Sequence, residues 1–564
     1  MNQIPRSVIS FGEARVNILA TSDNHGKISR VSPFYQNIYE NRDNIFIDRD
    51  KTSTLNMFAV VGDWFMNPRL SGFLSAPKKT AGDFQVVFLN KLIMSLKHLV
   101  KDKNQNARFE TVYTPGNHCF DAGDKYLIDH LKQAKLTTVV TNADLDNSPL
   151  IKNLKQKEKE KFVNSKEFSI KDSKNPNLIH KVLVLGVTTP GVDFYNPNLV
   201  SDIDIYDRSN KNDLATRKED IPKTLNVLNE QIQEFKKKNP EGVVILLNHG
   251  GNVISNIIAE NVDQINLILN AHDHKDMETV VNGTHIVSLS QDFEKLSAIN
   301  LYFDDDGKFR MDKSLNKDNK LATNFYTDFS KKPEINPFKC LEAAVEEDNK
   351  PILRINDPEN KINILSKKDV RHKNSVLANF ITDSILASIR KDYPEVDVFG
   401  VASSAFRQDI HMNATNLELL NSLGGSIQDL SKIYIGDITG NELAAIIVEN
   451  VEANNANPET NTIFQWSGIR FNRKLLTQNP ENVEQAIQIK NKDGEYENLN
   501  PEKIYKVALP NKFFSKPNIQ KAKILEDRFM PTELTMNDLF RSYLADNNYE
   551  VTLSDSTKET RIID

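Results

Sequence analysis

The stretch T-P-G-N-H-C-F-D, Thr114–Asp121, decides how the rest of the chain is read. It follows the short run Phe109–Tyr113. Before that run, Phe88, Leu92, Leu96, Leu99 and Val100 recur at helical spacing across Phe88–Val100. A helix feeding a strand is therefore expected, with Pro115 and Gly116 stopping the strand and turning the backbone. The turn then presents an amide, an imidazole and, three residues later, a carboxylate. Asn117 can offer an oxygen to a cation. His118 can meet a reacting group, and Asp121 can hold one ring nitrogen so that the other faces substrate. Taken alone, the stretch reads equally well as a polar turn with no chemistry, so its neighbours along the chain decide.

Toward the N-terminus, Val16–Ala20 ends at T-S-D-N-H-G, Thr21–Gly26, and Met57–Val61 ends at Gly62 and Asp63. Toward the C-terminus, Val139–Asn142 and Val182–Val187 continue the series of strand-length runs. Gly242–Leu247 ends at N-H-G-G, Asn248–Gly251, and Ile265–Leu269 ends at N-A-H-D-H, Asn270–His274. Ile221–Lys238 reads as a helix with Leu225, Leu228, Ile232 and Phe235 on one face. Lys152–Lys174, rich in lysine and glutamate, reads as a solvated excursion or insertion. Five apolar runs thus end in Asp, Asn or His, and in layered α/β proteins ligands gather at strand ends. Five of the 11 histidines, His25, His118, His249, His272 and His274, lie in these turns. One histidine at one turn would be structural. Five of them, with acids and an amide at the same kind of position, are poorly explained by coincidence.

With 564 residues, the chain is too long for one core and is expected to hold two domains. A hydrophobic share of 39% with 26% charged residues suits globular material rather than disorder. The net charge of −6 supplies no basic field for nucleic acid or an acidic membrane. Two cysteines, Cys119 and Cys340, cannot build a disulfide framework and fit a reducing compartment. No apolar run opens the chain at Met1–Ala14, and none is long enough to span a membrane. A cytoplasmic enzyme is the expectation, with a periplasmic or secreted one as the alternative if an export signal has been removed.

The ordered series D-N-H, G-D, G-N-H, N-H-G and A-H-D-H resembles the calcineurin-like metallophosphoesterases over roughly Val16–Asp304. The longer G-N-H-C-F-D-A-G resembles the bacterial-type 5′-nucleotidase branch, with Cys119 where a glutamate is usual. The resemblance implies a layered αββα sandwich and two divalent transition-metal ions, drawn from Zn, Mn, Fe or Co by the mixed N and O ligands. It implies that Asp23, His25, Asp63 and His274 hold one ion. Asp63, Asn117, His249 and His272 would hold the other, with Asp63 bridging. By the same resemblance His118 works on the phosphoryl oxygens or the leaving group, oriented by Asp121. Ala271 stands where glycine is usual, and Asp273 adds negative charge close to the site. A nucleophilic role for Cys119 is disfavoured, because a metal-activated water makes it unnecessary.

The C-terminal half resembles, more faintly, the substrate-binding domain of the same branch. Arg371 and Arg407 stand at positions whose arginines bind substrate phosphate, and such guanidinium forks suit that anion. D-I-T-G at Asp437–Gly440 and Q-W-S-G at Gln465–Gly468 match further landmarks. The base-stacking segment has no counterpart between Leu417 and Tyr434, and Pro517–Gln520 replaces a glycine-rich turn. Phe513 can stack on a base or sit in a core. The expected organisation is a catalytic domain over 1–330, a linker over 331–350 and a smaller α+β substrate-binding domain over 351–564.

The expected function is release of phosphate from phosphomonoesters, nucleoside 5′-monophosphates with loose base specificity foremost. The alternatives are a phosphodiesterase, nucleotide-sugar or cyclic-nucleotide hydrolase, and a non-catalytic binding protein on the same fold. The partner expected is a small phosphate ester, with neither nucleic acid nor a membrane span.

Overall fold

The computed structural model describes residues 14–563 apart from 47–52, 66–83, 104–106, 122, 174, 176, 191–199, 208–217, 305–306, 313–319, 332, 345–350, 360, 416–417, 420–421, 424–431, 459–460, 479–482 and 515–519. The leading segment read for an export signal therefore lies outside the described residues, as does most of Pro517–Gln520. The chain divides into two compact units, Met1–Ala344 and Val345–Asp564.

In the first unit the strand-length runs become strands β1 (Ala14–Ser22) and β2 (Ser53–Val61), helix α1 (Phe84–Lys103), and strands β3 (Arg108–Thr114), β4 (Thr137–Val139) and β5 (Phe162–Val163). Strands β6 (Ser165–Lys171) and β7 (Ile179–Val187), helix α2 (Pro222–Lys238), strand β8 (Val243–Asn248) and helix α3 (Gly251–Asn261) follow. Strands β9 (Leu267–Asn270), β10 (Glu278–Val281), β11 (Thr284–Ser288), β12 (Lys295–Phe303), β13 (Phe309–Asp312) and β14 (Ala322–Tyr326) complete the sheets.

Among the described residues one sheet has eight strands in the order β13-β12-β1-β2-β3-β4-β5, with β14 also on β12; the other has six, β10-β11-β9-β8-β7-β6. The two inner faces meet in a shared core. Val16, Ile18, Leu55 and Met57 of the first sheet pack with Val182, Val184, Val243, Ile245 and Leu267 of the second. The alternate residues Leu183, Leu185, Val244, Leu246 and Ile268 turn outward, under Leu228, Ile232 and Phe235 of α2 and Ile254 and Ile258 of α3. The period-2 split of near-continuous apolar runs is what a strand buried on both faces requires. This is the αββα sandwich.

Register is what brings the motifs together. Strands β1, β2 and β3 run parallel with Ser22 beside Val61 and Val61 beside Thr114. In the second sheet Val187, Asn248, Asn270 and Ser288 form a matching row across parallel neighbours. All the ligand-bearing turns therefore leave from aligned C-terminal strand ends.

The span Lys152–Lys174 differs from its reading as a solvated excursion. It contains β6, an edge strand antiparallel to β7, whose Phe168 and Ile170 point into the core while Glu167 and Lys171 are exposed. The surrounding lysines and glutamates mask a short alternating pattern. The segment 331–350, read as a linker, holds helix α4 (Lys339–Ala344) as far as it is described. Phe338 just before it is fully buried and stacks on Phe88 with ring centroids 6.0 Å apart.

The second unit contains helix α5 (Val376–Asp392), strands β15 (Val398–Ala402) and β16 (Lys432–Thr439), helix α6 (Gly440–Ala456), and strands β17 (Phe464–Ser467), β18 (Ile504–Pro510) and β19 (Phe529–Thr535). The strands form a mixed sheet, β17-β15-β18-β16-β19. Ser375 caps α5, its side-chain oxygen accepting from the Ala378 N–H. The D-I-T-G landmark supplies a capping box, in which Thr439 and Glu442 satisfy the first turn of α6 reciprocally. Gln465 of Q-W-S-G donates to the Val370 and Lys373 carbonyls, tying β17 to the segment that carries Arg371.

Candidate metal centre

Each turn is tied to the next by backbone. Gly62 N–H donates to the Thr114 carbonyl, His25 N–H to Asp63 O, and Asp292 N–H to Asp23 O. In the second sheet His249 N–H donates to Val187 O and Ala271 N–H to Asn248 O. Buried amides brace these turns from below. Asn248 Nδ2 donates to Ser255 Oγ at 2.7 Å, and Asn270 Nδ2 donates to Asn252 Oδ1 at 2.7 Å. Asp23, His25, His272 and His274 all have positive φ, between 46° and 89°. For residues with a Cβ this costs of the order of 1–3 kcal/mol each, and it persists only where the surroundings dictate it.

These ties bring five of the expected ligands into two overlapping groups. Within each, one donor atom per residue lies within 4.8 Å of the others: Asp23, His25 and His274 in one, Asp23, Asp63 and His249 in the other. The closest approaches are His249 Nε2 to Asp63 Oδ2 at 3.3 Å and to Asp23 Oδ1 at 3.6 Å, and His274 Nε2 to Asp23 Oδ1 at 3.5 Å. Asp23 is thus the carboxylate common to both groups, while Asp63 also reaches toward His25 Nε2 at 4.0 Å. His272 is half-buried, with its ring centroid 5.3 Å from that of His249, and its backbone N–H donates to Asp23 Oδ2. Asn117 is buried, and Thr189, which donates to the His249 carbonyl at 2.6 Å, lies 3.5 Å from Asn117 Oδ1.

Two glycines make room for this cluster. A Cβ on Gly116 would lie 2.2 Å from Asp63 Oδ1 and 2.4 Å from His249 Nε2. A Cβ on Gly62, whose φ is +91°, would enter the His249 ring. The G of G-D and the G of G-N-H are therefore required by the imidazole and carboxylate they face.

The residues fit divalent cations. Asp23 Oδ1, His25 Nε2 and both ring nitrogens of His249 are buried without a hydrogen-bond partner. Burial alone would raise the Asp23 and Asp63 pKa values, but His249 and further histidines hold both well below the usual carboxylate range. Burial would lower that of His249, yet Asp63 and Asp23 push it up to about 9. His272 is driven down to about 3, by burial first and the His249 charge second. A pair of buried carboxylates pulling a proton onto one imidazole is a site that attracts positive charge.

At the rim, His118 Nδ1 sits 2.9 Å from Asp121 Oδ2, and the His118 backbone N–H donates to Asp63 Oδ1 at 2.9 Å. Cys119 is fully buried, with Sγ 2.9 Å from the Tyr113 hydroxyl. Burial and the nearby Asp63 charge push its thiol up to about 12, which leaves it inert as a nucleophile. Asp273, expected as a charge beside the site, accepts from the Asn252 N–H at 2.6 Å and so caps the start of α3. Two contributors escaped the sequence reading. Asp292 accepts from His25 Nδ1 at 2.9 Å, and Lys27 Nζ lies 3.0 Å from its other oxygen. A separation of 267 residues between His25 and Asp292 leaves no local signal for this pairing.

In the second unit Arg371 and Arg407 are close enough to interact: partial desolvation first and the Arg407 charge second lower the Arg371 pKa. Phe513, read as able either to stack on a base or to sit in a core, is a core residue. It is fully buried, with its ring centroid 4.2 Å from that of Phe464 and 5.9 Å from that of Trp466. It sits on a 3-10 turn, Asn511–Phe513, directly after β18, and this points its ring back under the sheet.

Comparison with known proteins agrees with this architecture. Residues 16–276 match the calcineurin-like phosphoesterase family, and residues 351–517 match the 5′-nucleotidase C-terminal domain. The matched families and the fold are those of a metal-dependent phosphoric ester hydrolase. The chain belongs to the calcineurin-like metallophosphoesterases, in the branch that carries a 5′-nucleotidase C-terminal domain. Its fold is similar to that of a 5′-nucleotidase precursor from Thermus thermophilus, at 16% identity and a TM-score of 0.66, over 97% of this chain and 99% of that one. It is also similar to the sulfate thiohydrolase SoxB of Thermus thermophilus, at 14% identity and a TM-score of 0.62, over 99% and 98% of the two chains. No curated protein sequence matches the chain. Among the described residues no helix is long and apolar enough to cross a membrane.

Proposed function

We propose that the chain releases phosphate from phosphomonoesters, nucleoside 5′-monophosphates foremost, with two divalent transition-metal ions at the strand-end cluster. The observation that carries this reading is the convergence of Asp23, His25 and His274 with Asp63 and His249 in two overlapping donor groups. Asp23, His25, Asp63 and His274 would hold one ion, and Asp63, Asn117, His249 and His272 the other. When bound, such a pair of ions stabilises charge on the phosphoryl oxygens and activates the attacking water.

The protein's own groups do the rest. Asp121 accepts from His118 Nδ1–H, so Nε2 is the nitrogen that meets substrate and, when the ring is the imidazolium, hands its proton to the leaving oxygen, leaving the neutral ring with its remaining proton on Nδ1. Because the His118 N–H also holds Asp63 Oδ1, the proton donor and a metal ligand are positioned by one turn. Arg371 and Arg407 supply paired positive charge for an anionic group. With Phe513 in the core, no aromatic identified from the sequence remains to read the base, which supports loose base specificity.

The test is metal analysis together with a phosphate-release panel in Mn²⁺ and Zn²⁺: nucleoside monophosphates, cyclic nucleotides, nucleotide sugars and an aryl phosphate. About two ions per chain, with the monophosphates turned over at kcat/KM values within roughly tenfold of one another, is the expected result, ~1.4 kcal/mol being a factor of ten. Turnover confined to diesters or nucleotide sugars would overturn the monoester reading. A preference near a thousandfold for one base, about 4 kcal/mol, would overturn the loose specificity.

A further inference from the structure

We propose that Asp292 is the positioning residue for His25 and that Lys27 holds Asp292 in place, so that Lys27, Asp292 and His25 together fix which ring nitrogen faces the cation. This rests on the metal-holding role given to His25 above, and it concerns residues outside the D-x-H pattern.

A carboxylate only accepts, so the 2.9 Å contact between His25 Nδ1 and Asp292 Oδ1 places the ring proton on Nδ1. The lone pair of the neutral ring is then on Nε2. That atom is buried, has no hydrogen-bond partner, and belongs to the donor group with Asp23 and His274. The second carboxylate oxygen of Asp292 is 3.0 Å from Lys27 Nζ, and both residues are almost fully buried, at 2% and 5% exposure. A buried carboxylate on a neutral imidazole alone would be poorly compensated, and Lys27 supplies the missing charge. Arg30 donates to the Asp292 carbonyl at 3.2 Å.

The backbone of Asp292 points the same way. Its φ of 55° is a left-handed conformation that a non-glycine residue adopts at a cost. In that conformation its N–H donates to the Asp23 carbonyl at 2.9 Å while its side chain takes His25. One residue therefore grips both ligand-bearing positions of the D-N-H turn, through the main chain of the first and the ring of the second. Carboxylates that accept from the distal nitrogen of a metal-binding histidine set its tautomer and raise its basicity.

The experiment uses the full chain stripped with chelator and titrated with Mn²⁺ by calorimetry, alongside thermal melts of the metal-free protein. Asp292→Ala should weaken one bound Mn²⁺ by roughly 10- to 100-fold, the usual size of such an outer-shell effect, and leave the other nearly unchanged. Asp292→Asn, whose amide oxygen still accepts from Nδ1, should lose less, and Lys27→Met less again. A folded variant whose two Mn²⁺ affinities match the wild type, while its metal-free melting temperature falls, would reduce Asp292 to a structural ion pair and overturn the proposal. A second readout needs neither metal nor a change at Asp292: ¹⁵N-histidine spectra of the metal-free wild type, with His25 assigned by its loss in His25→Gln. The Nδ1–H tautomer is expected, and the Nε2–H tautomer would overturn the proposal. Failure of the wild type to take up Mn²⁺ would count against the proposed function, and the tautomer would still decide the role of Asp292.

Discussion

His118 Nδ1 lies 2.9 Å from Asp121 Oδ2 across a single 3-10 turn, Asn117–Phe120, so one local turn presents both an imidazole and the group that orients it. Exchanging His118 for asparagine should lower kcat by ~10²–10⁴-fold, the range for a lost acid–base group, with metal content unchanged. Asp121→Ala should cost less, because the ring keeps its chemistry and loses only its orientation. Metal loss in the His118 variant, with normal turnover per remaining ion, would make His118 a ligand instead.

Gly116→Ala tests the packing of the centre. The new methyl would meet Asp63 Oδ1 at 2.2 Å and His249 Nε2 at 2.4 Å, and neither group has room to retreat. Overpacking of this kind costs roughly 1–3 kcal/mol, so the melting temperature should fall and bound metal should be lost with it. Gly283→Ala is the control. Its φ is +82° but nothing lies within 4 Å of the added methyl, so only about 1–2 kcal/mol of left-handed strain is expected and metal binding should be untouched.

Metal uptake should release a proton. Burial alone would lower the His249 pKa, but Asp63 and Asp23 hold it at about 9, so at pH 7 the ring carries a proton that must leave before its nitrogen binds a cation. His272, down at about 3, has none to lose there. Apparent Mn²⁺ affinity should therefore rise with pH, roughly tenfold per unit for one displaced proton, and level off above about 9. The stability of the metal-free chain runs the other way. The raised His249 pKa contributes fully below 6.5 and its contribution is lost as pH climbs through about 9. Calorimetry at pH 7 in buffers of different ionisation enthalpy counts the released proton, and an affinity that stays flat from pH 7 to 9 would contradict the coupling.

Phe513→Ala should act on stability alone. Emptying a fully buried phenylalanine site costs about 3–5 kcal/mol, read in denaturant unfolding, while the ratio of kcat/KM for adenosine and uridine monophosphates should not move. A changed ratio in a variant of normal stability would return Phe513 to the substrate site.

Thiol reagents should separate the two cysteines. Cys340 is exposed and should be alkylated in the folded protein, whereas Cys119 is buried, with its thiol pushed up to about 12, and should be spared at pH 8. Peptide mass spectrometry after labelling gives the answer, and rapid modification of Cys119 would show that its pocket opens.

The strand ends were legible from the residues alone. Long apolar runs closing on Asp, Asn or His announce buried parallel strands, and their order announced the family, because both signals are local. The glycines of G-D and G-N-H were equally visible, although the reason for them, an imidazole from the other sheet, was not. Three things depended on how the chain packs in space. Asp23 became the carboxylate common to both donor groups, since that depends on how far the second sheet advances over the first. Asp292 reached His25 across 267 residues, because a turn after the end of β11 carries no motif of its own. Phe513 went into a core rather than beside a base. A lone aromatic after a strand is compatible with either place, and only the rings of Phe464 and Trp466 packed against it settle which face it turns to.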